Sequence, residues 1–418
     1  RIVARLQPVR GTHDILGEKS LRFRTILEIF KSVAERYSHQ EIDTPIFEFT
    51  ETFKRTLGDT SDVVTKEMYT FEDRGGEQIT LRPEFTAGIA RAFMSNGLQQ
   101  SMPCKFYSFG PTFRYERPQK GRMRQFHQMD VEILGVPEPQ ADIEVLAIAF
   151  DLLNELEINQ HITLELNSLG DPESRENYRD ALVSYFSDHK SKLSEDSLLR
   201  LEKNPMRILD SKDEGDRLLV ENAPRIGEYY NQATQEFFAQ VKGGLEDLGI
   251  KYVINDRLVR GLDYYCHTAF EFTTDQLGAQ GTVLAGGRYD GLMEMMGGPA
   301  TAGIGWASGM ERMAELISEE FIKKSARPVI VIPVGSDAQS AAMKIAHDLR
   351  CVGIVVDMAY KGNVGKRMKR ANKQNAIFAI LVGEDEMARI CWHGEKTLIG
   401  TQEEISLSIL VEEMQENN

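Results

Sequence analysis

Two β-type runs, at 104–110 and 129–134, flank a basic segment in which Arg114 to Arg124 carries five positive residues against one acid. A turn bearing Arg117, Pro118, Lys120 and Gly121 lies between them, so the stretch is predicted to be an antiparallel strand–loop–strand hairpin. Such a hairpin projects Arg114, Gln128 and Glu132 from its body while its basic loop reaches outward. Gln128 and Glu132 are four residues apart, so on a strand both side chains point to one face. Taken alone, the segment could equally be a surface hairpin with scattered charges.

Around it, Phe23, Ile26, Leu27, Phe30, Val33, Ala34 and Tyr37 recur at helical spacing over 20–37, with Ser20 as a candidate N-cap. Pro45 interrupts the apolar stretch EIDTPIFEF, which suits an edge or interface strand better than a central one. Further β-type runs fall at 78–82 and 162–166, and Ile143, Leu146, Ala147, Phe150 and Leu153 mark an amphipathic helix. From about 172 to 250 the pattern turns helical and charged, and we read it as a helical insertion. Two more β-type stretches, 267–274 and 281–286, precede GIGWASGMERMAELI, which reads as strand into helix. Beyond a linker at Lys323 to Pro328, the apolar runs VIVIPVG, GIVVDMAY and AIFAILVG alternate with helical segments. The expected fold class is α+β: an antiparallel-rich body over 1–322 containing the insertion, then a small α/β domain over 327–418.

A chain of 418 residues with 41% hydrophobic and 27% charged residues is globular in composition and long enough for two or three domains. Its net charge of −15 excludes indiscriminate nucleic-acid binding but leaves room for local basic surfaces. The second such run, Lys361 to Lys373, holds six positive residues and no acid. The four cysteines, Cys104, Cys266, Cys351 and Cys391, lie far apart without a CxxC pair, which suits free thiols in a reducing compartment. No apolar run approaches bilayer length. A cytoplasmic protein without a membrane span is the expectation.

Nucleotide-binding loops are absent. No GxxxxGK[ST] occurs, and Gly303, Gly305 and Gly309 are wrongly spaced for a dinucleotide fingerprint. Phosphate recognition would therefore rest on arginines and metal ions. Arg suits that work because its planar fork grips phosphate or carboxylate in two places and stays charged.

The hairpin closely resembles motif 2 of the class II aminoacyl-tRNA synthetases, and AGIGWASGMERMAEL resembles motif 3, with Arg312 as its arginine. The helix at 20–37 with the strand at Pro45 resembles the more degenerate motif 1, which in that class forms the dimer interface. LVRGLDYYCHTAFEF (258–272) and AGGRYDGLM (285–293) resemble the two histidine-specific signatures of the histidyl-tRNA synthetases. TLRPEFTAGIAR (80–91) resembles that family's substrate-binding segment and PVRGTHD (8–14) its N-terminal signature. The C-terminal domain resembles the family's anticodon-binding module, so the resemblance covers essentially the whole chain.

The resemblance implies an enzyme that activates L-histidine with ATP and Mg²⁺ and transfers it to tRNA(His), working as a homodimer. Glu84, Thr86 and Gln128 would hold the α-amino group, as an ammonium requires of a carboxylate and neutral acceptors. Glu132 and Tyr265 would read the two imidazole nitrogens, with Tyr264 and Tyr289 lining the pocket. Arg114 and Arg260 would meet the histidine carboxylate and the α-phosphate, and Arg312 the adenine and γ-phosphate end of ATP. Arg117 and Gln119 match positions that contact the acceptor end of the tRNA. Lys366, Arg367, Lys369 and Arg370 are candidates for phosphate contact. No protein metal cage is expected. A second reading is the regulatory subunit of ATP phosphoribosyltransferase, which has this fold without aminoacylation. Such paralogues typically lack the C-terminal domain and erode the RGLDYY arginine or motif 2, whereas this chain keeps Arg114, Arg260 and Arg312. Phe85 departs from the family pattern, which favours a small residue there.

Overall fold

Phe23, Ile26, Phe30, Val33 and Ala34 all point into the core from one face of the helix Glu18–Arg36. The computed structural model describes residues 5–58, 61, 63–118, 122–260, 264–278, 281–383, 388–392 and 403–404. The first helix starts before Ser20. Gly17, at φ 62°, is its N-cap, and Glu18 opens the first turn and pairs with Arg22 at 2.9 Å. An acid at that position meets the helix dipole and an i,i+4 partner together, which outweighs a serine cap.

Among the described residues eight strands form one sheet. Their order is Gln40–Glu41, Cys104–Phe113, Gln125–Leu134, Gly303–Gly309, Thr282–Arg288, Cys266–Thr273, Thr163–Ser168 and Val253–Ile254. Every inner pair is antiparallel, and the two short edge strands run parallel to their neighbours. The hairpin arms are longer than the apolar runs alone indicate, because pairing extends through Gly110 opposite Gln128 to Phe113 opposite Gln125. Around Pro45 the chain makes two short strands instead of one. Gln40–Glu41 joins the large sheet, and Phe47–Phe49 joins a small sheet with Gln78–Leu81 and Thr70–Glu72. Pro45 falls between them, where its missing N–H breaks no ladder.

One face of the large sheet is covered by the helix Pro139–Glu155, whose Val145, Leu146, Ile148, Leu152 and Leu153 are fully buried. The Trp306 indole N–H donates to the Val145 carbonyl at 2.9 Å and ties helix to sheet. The opposite face is left for the site. Between 172 and 247 lie the helices Pro172–Asp188, Glu195–Lys203, Glu214–Glu221 and Gln232–Asp247. The first three enclose a core of their own, with Tyr178, Leu182, Phe186 and Ile208 buried. Phe85 is fully buried beneath the Arg82 guanidinium, 4.3 Å from its ring centre, so the large residue fills space beside the site instead of obstructing it.

The chain divides into two units, Arg1–Lys323 and Lys324–Asn418. In the second, Val356–Met358, Val329–Pro333 and Phe378–Val382 are parallel, and Ala388–Trp392 and Glu403–Glu404 continue the sheet antiparallel. The helices Ala338–Cys351 and Val364–Lys373 pack on it. No helix among the described residues is long and apolar enough to cross a membrane.

Candidate active site

On the strand Gln125–Leu134 side chains alternate. Met129, Val131 and Ile133 enter the core, and Gln128, Asp130 and Glu132 face the other way. The strand lies between Cys104–Phe113 and Gly303–Gly309, so these polar groups stand at mid-sheet, buried and held on both sides. Two adjoining cavities open there, of about 420 Å³ and 310 Å³.

The inner cavity is lined by Glu84, Thr86, Arg114, Gln128, Glu132 and Arg260, and by the rings of Tyr264, Tyr265 and Tyr289. The outer one is lined by Arg114, Arg122, Phe126, Gln128, Arg260, Glu311 and Arg312, among others. Arg114 and Arg260 line both, so a pair of cations marks the seam. One lobe carries buried carboxylates and the other is rich in arginine. Arg117 is exposed on the hairpin loop and lines neither cavity, and Gln119 lies outside the described residues.

Glu132 is the centre of the inner lobe. Its carboxylate accepts from the Thr86 hydroxyl at 2.6 Å and from the Tyr289 hydroxyl. Burial pushes it up to about 7, against the pull of those hydroxyls. Thr86, expected to face an ammonium, spends its proton on Glu132 but keeps its oxygen lone pairs as acceptors. Glu84 accepts the Ala87 N–H at 3.0 Å; burial raises its pKa, while that N–H and the nearby Arg114 oppose the rise. The Gln128 carbonyl is buried with no donor among the described residues. Tyr265 packs against Tyr264, ring centres 4.6 Å apart, and Tyr264 meets Tyr289 edge-on.

Glycines make room for these groups. Gly305 sits opposite Glu132, and a Cβ there would fall 1.8 Å from its carboxylate oxygen. A Cβ at Gly303 would strike the Tyr289 ring at 2.2 Å, and one at Gly287 would press the Tyr265 ring at 3.1 Å. Gly305→Ala should therefore strain the pocket and destabilise the fold by about 1–3 kcal/mol, read as a lower urea midpoint. Equal midpoints for the variant and wild type would contradict this placement.

At the seam, the Arg114 Nε donates to the Pro83 carbonyl at 3.0 Å and its guanidinium lies 5.3 Å from the Phe126 ring centre. Arg260 makes a long contact of 3.5 Å with Glu271 and lies over Tyr265. The Arg312 guanidinium donates to the Thr282 carbonyl. Glu311 accepts both the backbone N–H and the ring Nδ1 of His127 at 3.0 Å, locking the helix Met310–Leu316 onto the hairpin. Four contributors were not singled out from the sequence: Arg122 and Glu311 in the outer lobe, Arg207 from the helical insertion in the inner lobe, and Asp130 beneath it. Arg122 carried a signal, since it sits in the basic run. Arg207 carried none, because its turn, Pro205–Asp210, reaches the site only through tertiary packing.

Arg288, the arginine of GGRYDGL, does not face the cavities. It is fully buried, bonds both Asp142 carboxylate oxygens, and donates to the Val136 and Glu138 carbonyls. The motif's arginine is scaffold. Among the described residues no cluster of three or more His, Cys, Asp or Glu side chains forms a metal cage.

The profile of the histidyl-tRNA synthetase family matches residues 11–313, and that of an anticodon binding domain matches 328–417. The histidine–tRNA ligase of Rhodospirillum rubrum is 57% identical over 98% of this chain and 99% of its own length. That of Rickettsia bellii is 50% identical over 92% of each chain. The crystal structure of apo Staphylococcus aureus histidyl-tRNA synthetase superposes with a TM-score of 0.81 at 35% identity, covering 98% of this chain and 99% of the other. A Bacillus halodurans structure titled ATP phosphoribosyltransferase regulatory subunit/histidyl-tRNA synthetase shares the fold at 21% identity and a TM-score of 0.65. With both domains matched and relatives similar along their whole length, the chain belongs to the histidyl-tRNA synthetase family, in the class II fold.

Proposed function

We propose that this chain is a histidine–tRNA ligase that activates L-histidine with ATP and passes it to the 3′ end of tRNA(His). The observation that carries this reading is the seam: Arg114 and Arg260 line at once a lobe holding the buried carboxyls of Glu84 and Glu132 and a lobe holding Arg122 and Arg312. A ligand cationic at its amino end and anionic at its carboxylate fits the inner lobe with its carboxylate at Arg114 and Arg260. A polyphosphate fits the outer lobe, with its α-phosphate at the same two residues. Arg312 holds the far end of ATP. The histidine carboxylate attacks the α-phosphorus, pyrophosphate leaves, and the terminal tRNA hydroxyl then attacks the adenylate carbonyl. Positioning and fixed cations supply the acceleration. Mg²⁺ enters with ATP, held by its phosphates and water.

In this reading Glu84, Thr86 and Gln128 hold the ammonium, and Glu132 and Tyr265 read the imidazole, while Tyr264 and Tyr289 close its walls. A side chain of similar shape without ring nitrogens leaves buried polar groups unpaired, which a hydrogen-bonding site rejects strongly. Glu132→Gln should raise the histidine KM while the ATP KM stays near normal. Tyr265→Phe should do likewise, at about 1–3 kcal/mol. Unchanged histidine affinity in both variants would sink the assignment.

We assign the acceptor end of the tRNA to the hairpin loop through Arg117 and Gln119, and its anticodon arm to residues after Lys324. Lys366, Lys369 and Arg370 lie exposed on one short basic helix, suited to phosphate contact, whereas Arg367 turns inward and donates to the Pro333 carbonyl. Exposed Phe47, Phe49 and Phe71 on the small sheet suit burial against a second copy, in line with a homodimer, and the site of action is cytoplasmic. The test is truncation after Lys323. The shortened chain, as a dimer, should keep histidine-dependent pyrophosphate exchange and lose most tRNA charging. Equal loss of both activities in a folded, dimeric product would refute the division of labour.

A further inference from the structure

The pocket strand carries a carboxyl group that the reading above leaves without a role. Asp130 lies between Gln128 and Glu132 on the same strand face, and its side chain is fully buried. Its cross-strand neighbours are Ser108 and Ala307. The Ser108 hydroxyl donates elsewhere, to the Ile42 carbonyl at 2.7 Å. Among the described residues no N–H or hydroxyl donor reaches either Asp130 oxygen. The group facing it is the carboxyl of Glu132.

Two buried carboxyls so placed do not both ionise near neutrality; they settle with one proton between them. Burial, then the charge of Glu132, pushes Asp130 well above the usual carboxylate range. The other titratable groups facing the pair are Glu84, which raises both, and Tyr289, which donates to Glu132. Arg114 stands beyond, beside Glu84. The flanking strands place only Phe106, Ser108, Gly305 and Ala307 next to Asp130 and Glu132.

We propose that Asp130 is a positioning residue that keeps the shared proton and donates it to Glu132, fixing that carboxylate's charge and direction toward the imidazole of the substrate. The proposal rests on the assignment of the inner cavity to histidine. Thr86 and Tyr289 hold Glu132 from the pocket side, and Asp130 holds it from beneath. Raising the pH releases the shared proton to solvent, leaves two adjacent carboxylates, and turns Glu132 off its mark.

The experiment measures histidine kcat/KM in pyrophosphate exchange against pH, at saturating ATP, for the full-length wild type, Asp130→Ala and Asp130→Asn. Removing the donor in Asp130→Ala should raise the histidine KM by about tenfold, with the ATP KM unchanged. Asn retains a donor but no titratable proton, so Asp130→Asn should rescue most of that loss and lack the alkaline fall that the pair imposes on wild type. The ammonium of free histidine titrates alike in all three, so the difference between profiles carries the result. Superimposable alkaline limbs for wild type and Asp130→Asn would overturn the proposal, as would equal histidine KM values for the Ala and Asn variants. Absence of histidine-dependent exchange in the wild type would instead overturn the site assignment on which the proposal rests.

Discussion

Arg260→Ala is expected to slow histidyl-adenylate formation by about 10²–10³-fold, the usual effect of losing one preorganised donor at developing negative charge. The structure limits what else the change can do. Among the described residues Arg260 makes one long contact with Glu271 and packs over Tyr265. Neither is a buried, well-bonded interaction whose loss would unfold the body. In the proposed assignment Glu84, Thr86, Gln128 and Glu132 hold histidine from other elements, so its affinity should fall less than the rate. Rapid-quench measurement of a single turnover, with enzyme in excess of histidine, separates the two. A near-normal single-turnover rate would remove Arg260 from the chemistry.

Asp142→Ala is expected to destabilise the catalytic body by about 3–5 kcal/mol, because it leaves the buried Arg288 guanidinium without its main counter-charge. Neither partner has any solvent exposure, so water cannot take over the lost contacts. Whole domains are stable by only about 5–15 kcal/mol, so this one change consumes a large part of the margin. Arg288 also ends the strand that holds Gly286 and Gly287, so exchange activity should fall with stability. Urea unfolding followed by tryptophan fluorescence checks the magnitude, since Trp306 sits beside the Asp142 helix. A loss below about 1 kcal/mol would mean that the pair relaxes on substitution.

Much of this architecture was readable from residue order because local and tertiary demands agree there. The first helix buries Phe23, Ile26, Phe30, Val33 and Ala34 as its periodicity requires, with Leu27 and Tyr37 half-buried, and the Pro139–Glu155 helix buries Leu146, Ala147 and Leu153 but leaves Ile143 and Phe150 half-buried. The strand-to-helix reading of GIGWASGMERMAELI holds for the same reason. Readings failed where a neighbouring turn of helix or a partner far along the chain decided the outcome. Ser20 is a good cap in isolation, but the Glu18–Arg22 pair moves the helix start to Gly17. The stretch around Pro45 splits because its halves pair with strands from different parts of the chain.

In the site, the residues named by motif resemblance, Arg117 and Gln119 excepted, line two cavities, but their mutual support was not legible. That Asp130 shares a face with Gln128 and Glu132 follows from the strand period, but that Tyr289 donates to Glu132 and that Arg288 faces Asp142 does not, because each contact joins separate elements. Register across a sheet depends on every strand between, and spacing within one segment does not encode it. Arg207 shows the same limit from another direction. Nothing in PMRILD distinguishes it from the surface arginines of the insertion until the fold brings it to the cavity.

In the proposed function the two lobes joined at Arg114 and Arg260 bring histidine and ATP together for adenylate formation. The measurement that tests it most directly is ATP–pyrophosphate exchange by the full-length chain, run with each of the standard amino acids separately and without tRNA. Rapid exchange is expected with L-histidine alone. Exchange with another amino acid at a comparable rate, or none with histidine, would contradict it.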